Sequence, residues 1–183
     1  MVYMFLAEGF EEIEALCPLD LLRRAGVGVM TVGVGGKVIR GSHGIEVIAD
    51  VTTQEAGKLL EKSPAQMVIL PGGMPGSLNL QKDATVNAFI EFAVKNDAYL
   101  AAICAAPMIL GELGLLEGKE AICYPGFEGK LKGAVISEKK VVQDGRFITG
   151  KGMGVALEFG LKLVEVLVSK DKADELFASV QAG

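Results

Sequence analysis

Apolar residues arrive along this chain in short bursts, separated by stretches where they recur every three or four positions. That pattern predicts strands and helices by turns. Val2 to Leu6 is the first burst, and Ala7-Glu8-Gly9-Phe10 is the loop after its carboxyl end. From Glu11 to Ala25, Ile13, Leu16, Cys17, Leu21 and Leu22 keep a helical period. Pro18 should kink that helix, and Arg23, Arg24 and Gly26 supply its cationic end and stop. Val27 to Val34 predicts a second strand, with Gly35-Gly36 as a two-residue hairpin turn into Val38-Ile39-Arg40. Gly41-Ser42-His43-Gly44 then turns the chain into Ile45 to Ile48, so a small antiparallel pair interrupts the alternation.

The rhythm then resumes. Thr53 to Leu60 reads as a short helix capped by Thr52 or Thr53, and Met67 to Leu70 as a central strand ending at the loop Pro71-Gly72-Gly73-Met74-Pro75-Gly76. Asp83 to Lys95 places Val86, Phe89, Ile90 and Ala93 on one helical face. Tyr99 to Ile103 has the length of a buried parallel strand and runs into a helix from Ala105 to Leu113, with Pro107 in its first turn. Ala121 to Cys123, Ala134 to Ile136, Val141-Val142 and Phe147 to Thr149 read as short strands. Gly150-Lys151-Gly152-Met153-Gly154 opens a helix from Val155 to Val168, and another runs from about Lys170 to Val180. Strands alternating with helices over short connections predict a doubly wound parallel sheet. Ligands in such sheets bind beyond the carboxyl ends of strands. The loops after Leu6 and Leu70 and the Cys104 corner therefore converge on one edge.

Length and charge narrow the class. A chain of 183 residues is expected to form a single domain over 1–183, large enough for a core without metal or disulfide. Eighteen basic against 23 acidic side chains leave a net charge of −5, which offers no electrostatic footprint for nucleic acid. Three widely spaced cysteines argue against a disulfide framework and for a reducing compartment. The N-terminus has no basic signal region, and no apolar run reaches the ~18 residues needed to span a bilayer. The chain reads as cytoplasmic and complete, with no membrane partner.

Cys104 stands at the corner between strand and helix. There the orphan N–H groups of a helix start would favour an anion and bring a thiol pKa to roughly 3.5–7.5. The alternative is a buried, inert cysteine packing as a small hydrophobe. Of the acidic run, Glu11 and Glu12 read as a solvated face. Glu14 shares a stripe with Cys17 and Leu21, so burial should raise its pKa and let it hold a proton for a thiolate or move one. Gly72 and Gly73 could aim backbone N–H groups at an oxyanion, or simply form a turn needing positive φ. Gly150-x-Gly152-x-Gly154 lacks a P-loop ending and follows the wrong strand for a dinucleotide fingerprint. Met153 is a gap filler or a pocket wall. His43, the single histidine, lies in a turn, so neither a conventional cysteine protease nor a His/Cys metal site is supported. Cys17 reads as packing, and Cys123 fits either role.

Four motifs in order resemble one known group: Leu6-Ala7-Glu8-Gly9-Phe10-Glu11-Glu12-Ile13-Glu14, Leu70-Pro71-Gly72-Gly73, Ala101-Ala102-Ile103-Cys104-Ala105-Ala106-Pro107, and Gly152-x-Gly154 with Glu158-Phe159. Together they resemble the ThiJ/PfpI superfamily, in its Parkinson-associated deglycase branch. The resemblance implies a flavodoxin-like sheet with helices on both faces, a homodimer, and no cofactor. It makes Cys104 the cysteine of a strained nucleophile elbow and Glu14 its protonated partner, with Gly72, Gly73 and the Ala105 N–H lining an oxyanion site. Arg24, in Arg23-Arg24-Ala25-Gly26, becomes a candidate anion contact across the dimer. Tyr124 stands where relatives have a histidine, and a tyrosine of pKa about 10 is no base near neutrality. His43 falls where relatives carry an arginine near the pocket. Ala105 replaces the histidine of the protease-like branch, which counts against peptidase activity.

The resemblance implies either an enzyme acting on methylglyoxal-type dicarbonyls or glycated adducts, or an oxidation sensor whose Cys104 becomes a sulfinate.

Overall fold

The computed structural model describes residues 1–182. Its main sheet holds seven strands: β1 (Val2–Leu6), β2 (Val29–Gly33), β5 (Val51–Thr52), β6 (Met67–Leu70), β7 (Tyr99–Ile103), β10 (Val141–Asp144) and β11 (Phe147–Gly150). Their order is β10-β11-β7-β6-β1-β2-β5, and every pairing is parallel except β10 with β11. This is the doubly wound, mostly parallel sheet that the alternating pattern predicts. Two small pairs lie outside it: antiparallel β3 (Val38–Arg40) with β4 (Glu46–Ile48), and parallel β8 (Glu120–Ala121) with β9 (Val135–Ile136).

Seven helices cover the sheet: α1 (Glu12–Arg24), α2 (Thr53–Leu59), α3 (Gly76–Lys82), α4 (Ala84–Lys95), α5 (Pro107–Glu112), α6 (Ala156–Leu167) and α7 (Lys170–Ser179). Successive side chains of a strand point to opposite faces, so β1 serves two cores at once. Tyr3 and Phe5 join Ala56 of α2, Phe89 and Ile90 of α4 and Ile109 of α5 on one side. Phe89 meets both rings edge-on, at centroid distances of 4.8 and 5.0 Å. Val2, Met4 and Leu6 join Ala15 and Leu22 of α1, Phe159 and Leu163 of α6 and Leu176 of α7 on the other. A strand buried on both faces must be apolar throughout, which is why these strands read as unbroken runs.

Several sequence expectations need correction. Gly35-Gly36 is not a hairpin turn, because β2 pairs with β1 and β5 while β3 pairs with β4 alone. The chain doubles back so tightly there that any side chain on Gly33 would collide with the Gly36 carbonyl. The predicted strand Val27 to Val34 shrinks to Val29–Gly33, and the one at Ala121 to Cys123 becomes Glu120–Ala121. Strand β5 and helix α3 were not legible as elements: the first is two residues long, and the second opens on Gly76 inside a Gly/Pro loop. Helix α5 is six residues, not nine, and begins at Pro107. Among the described residues, no helix is long and apolar enough to cross a membrane.

Helix α1 runs through Pro18, which has no N–H to give the Glu14 carbonyl four residues back. Gly160 of α6 fits against that proline: a Cβ there would stand 2.9 Å from Pro18 Cα and 2.7 Å from Leu21 Cδ1. Close approach of the two helices thus depends on a missing side chain. Gly160→Val should destabilise the fold by about 2 kcal/mol through overpacking, read as a lower urea midpoint at unchanged slope. A midpoint equal to wild type would show that the helices are free to separate.

Candidate active site

The parallel register sets the carboxyl ends of β1, β6, β7 and β11 side by side, and the loops leaving them meet at Cys104. Cys104 directly follows β7 and has φ of 64°, a left-handed conformation uncommon for a residue with a side chain. Two backbone bonds hold it there: Cys104 N–H donates to Gly150 C=O at 2.9 Å, and Tyr124 N–H donates to Cys104 C=O at 2.8 Å. These bonds fix the elbow between β11 and the segment after β8.

Glu14 reaches the elbow from the first turn of α1. Glu11 caps that helix, its Oε2 accepting the Glu14 N–H at 2.7 Å, and the helix docks with Glu14 only 1% exposed. The carboxyl lies between Gly72 and Cys104. Its Oε2 accepts the Gly72 N–H at 3.0 Å, while Oε1 is buried without a hydrogen-bond partner. The Cys104 side chain is its other polar neighbour, close enough for each group to shift the pKa of the other. Gly72 has to be glycine for this to happen, since a Cβ there would overlap Glu14 Oε2 and stand 2.5 Å from Cys104 Cβ. Gly73, at φ of 89°, turns the chain so closely over the α1 entry that a Cβ would lie 2.6 Å from Gly9 O.

Burial raises the Glu14 pKa to about 7; the hydrogen bond with Cys104 opposes the rise, and the nearby Glu11 charge adds to it. For Cys104, burial comes first and the ionised Glu14 second, pushing the thiol up to about 12, against the Gly73 and Ala105 amides that pull it down. The expectation of a thiolate made by helix position alone is therefore corrected. Helix α5 starts three residues later and is short, leaving two amides to face a buried negative charge. A thiolate requires Glu14 to be protonated: the repulsion then disappears, and the protonated carboxyl can donate to the sulfur.

The other sequence candidates fall into three groups. The Gly73 and Ala105 amides point at the sulfur, whereas the Gly72 amide, expected in the same role, is taken by Glu14. Tyr124 and Gly152 are at the site: a Cβ on Gly152 would stand 3.2 Å from Tyr124 Cδ2 and 3.9 Å from Glu14 Oε1. Met153, next along, is exposed. Arg24 pairs with Asp20 on its own helix at 2.6 Å, and within this chain nothing ties it to the sulfur. Cys17 is half-buried on α1; Cys123 is fully buried, and burial pushes its thiol up to about 11.

Glu12 overturns the solvated-face expectation, being only 2% exposed. Its carboxylate binds the loop between β3 and β4, accepting the His43 N–H at 2.8 Å and the Ile45 N–H at 3.4 Å, with His43 Nδ1 at 3.0 Å. The His43 ring itself is exposed, and its pKa is raised by the Glu12 hydrogen bond. No metal site was expected, yet ligand atoms of Glu11, Glu12 and His43 lie within 4.8 Å of one another. The Glu12 oxygens are already committed to the hairpin loop.

A doubly wound sheet with a strained cysteine directly after β7 and a buried acid beside it defines a flavodoxin-like protein with a sharp strand-to-helix elbow. The pattern of the DJ-1/PfpI family matches residues 1–166, and the chain belongs to that family. Protein dj-1beta of Drosophila melanogaster is 34% identical over 176 residues, spanning 94% of this chain and 92% of the fly protein. The glutathione-independent glyoxalase DJR-1.2 of Caenorhabditis elegans is 30% identical over 92% of this chain and 89% of its own length. The structure of oxidized Toxoplasma gondii DJ-1 superposes with a TM-score of 0.92 at 33% identity, covering 98% of this chain and 97% of that one.

A carboxyl that holds its proton in the folded state stabilises the fold below its unfolded pKa and loses that contribution as pH rises to the folded value. Relative to Glu14→Gln, wild type should lose on the order of 3 kcal/mol between pH 4.5 and about 7 and then level off. Chemical denaturation of both proteins across that range measures it. Parallel stability curves would mean that Glu14 ionises as freely in the folded chain as in water.

Proposed function

We propose that this protein is a cysteine-dependent enzyme acting on methylglyoxal-type dicarbonyls or their adducts, with Cys104 as nucleophile and Glu14 as proton carrier. The observation that carries the reading is the buried Glu14 carboxyl, its Oε1 without a partner, beside an elbow cysteine. The C. elegans relative named a glutathione-independent glyoxalase supports the same general kind of chemistry.

In this reading the Cys104 thiolate adds to the aldehyde carbon, and the oxyanion formed there faces the Gly73 and Ala105 amides. Protonation of that oxygen gives a hemithioacetal. Glu14, now a carboxylate, takes the proton from the former aldehyde carbon, and the electron pair moves through an enediol. Return of a proton to the neighbouring carbon leaves a thioester. Water then cleaves the C–S bond, releasing a hydroxy acid and the thiol; water is the only co-reactant. Glu14 suits this work because its pKa of about 7 lets it give and take a proton at neutral pH. The reading also carries a homodimer, with Arg24 as a candidate anion contact to the partner's site, and a cytoplasmic location.

A second reading has a specific observation behind it. Cys104 is only partly buried, and the amides at its sulfur would hold a sulfinate as well as an oxyanion. The Toxoplasma neighbour was captured in an oxidized form. Here peroxide oxidises the thiolate to sulfenate and then sulfinate, each step adding one oxygen and reducing one peroxide to water.

Purified protein incubated with methylglyoxal should produce lactate. Cys104→Ser should abolish the reaction, and Glu14→Gln should slow it by roughly 10²–10⁴-fold, the usual worth of a positioned acid–base group. Equal inactivity of wild type and Cys104→Ser would remove the enzyme reading. For the second, intact-mass and peptide analysis after mild peroxide should place the first added oxygens on Cys104. Earlier oxidation of Cys17 or Cys123 would defeat it.

A further inference from the structure

Tyr124 is held at the site by its own backbone, through the 2.8 Å bond from its N–H to the Cys104 carbonyl. One edge of its ring borders the space beside Gly152, where a Cβ would stand 3.2 Å from Cδ2 and 3.8 Å from Cε2. The same Cβ would stand 3.9 Å from Glu14 Oε1. Ring edge and carboxyl oxygen thus border the same small space that the missing Gly152 side chain leaves open. Tyr124 is 51% exposed to solvent, while Oε1 on the other border of that space is fully buried.

From this arrangement we infer that Tyr124 is a positioning residue whose ring, beside Gly152, keeps water off Glu14 Oε1 and so preserves the proton that the sulfur needs. The apolar part of the ring does this, and the hydroxyl takes no part. The inference rests on the Glu14–Cys104 pairing proposed above and deepens it. The titratable groups facing Glu14 are Cys104 at the elbow and Glu11 at the start of α1. The loop after β6 offers it the Gly72 amide, and the loop after β11 only the Gly152 α-carbon, with Lys151 beside it turned to solvent.

The consequence has a sign that a merely steric lid would not give. Water at Oε1 removes part of the burial that keeps Glu14 protonated. The carboxyl then ionises at neutral pH, its charge opposes the thiolate, and Cys104 becomes less reactive although more accessible.

Iodoacetamide alkylation of Cys104, followed by peptide mass spectrometry from pH 5 to 10, reads this without needing turnover. A protein inactive on methylglyoxal still reports on Tyr124. Tyr124→Phe should follow wild type. Tyr124→Ala should slow alkylation at neutral pH by roughly tenfold for each unit by which the thiol pKa rises. Tyr124→Leu, which restores an apolar cover, should lie close to wild type and serves if the alanine variant folds poorly. In a Glu14→Gln background, removing the ring should no longer slow the reaction. Alkylation of Tyr124→Ala as fast as or faster than wild type would overturn the inference, as would a phenylalanine variant as slow as alanine or slowing that persists without the Glu14 carboxyl.

Discussion

A carboxyl group buried away from water, beside a cysteine whose backbone is fixed, is the constraint around which the rest of this molecule is arranged. Glu14 enters from a helix and Cys104 from a strand, and both are held by backbone bonds rather than by each other. Bringing them together leaves no room for side chains in between, and Gly72 and Gly152 supply that room. The left-handed backbone at Cys104 is strain that the surrounding register enforces, with β11 on one side and the Tyr124 segment on the other.

Three glutamates within four residues meet three different fates at the start of α1. Glu11 stays at the cap and satisfies an orphan N–H; Glu12 is buried and clamps the β3–β4 loop; Glu14 is buried at the sulfur. The protonation of each follows from its partners. Burial alone would raise the Glu12 pKa, but hydrogen bonds from His43 and Ile45 outweigh it and the net shift is downward. Glu14 receives one amide and faces a thiol, so burial wins and the shift is upward. The direction of each shift follows from the balance between desolvation and the donors each carboxylate finds.

Much of the architecture was legible because its signals are local. Unbroken apolar runs such as Met67 to Leu70 mark strands covered on both faces, and Pro107 and Gly26 mark a helix start and stop where they stand. The failures also have local causes. Gly35-Gly36 carries the composition of a hairpin turn, but strand pairing is a long-range choice, and β2 found β1 and β5 instead. Glu12 looked solvated because its helix position is polar, and nothing near it in sequence announces the loop that arrives from residues 42–45.

The residues of the candidate site were nameable from the sequence, since an elbow cysteine, a glutamate on the apolar edge of a helix and glycines at strand ends are all written in one dimension. Their electrostatics were not. Whether Cys104 carries a charge depends on Glu14, whether Glu14 keeps its proton depends on burial, and burial is a property of packed surfaces that no window of sequence contains. Only the folded chain brings residues 14, 72, 104, 124 and 152 to one place, and with them the competition between desolvation and hydrogen bonding that sets where the proton sits.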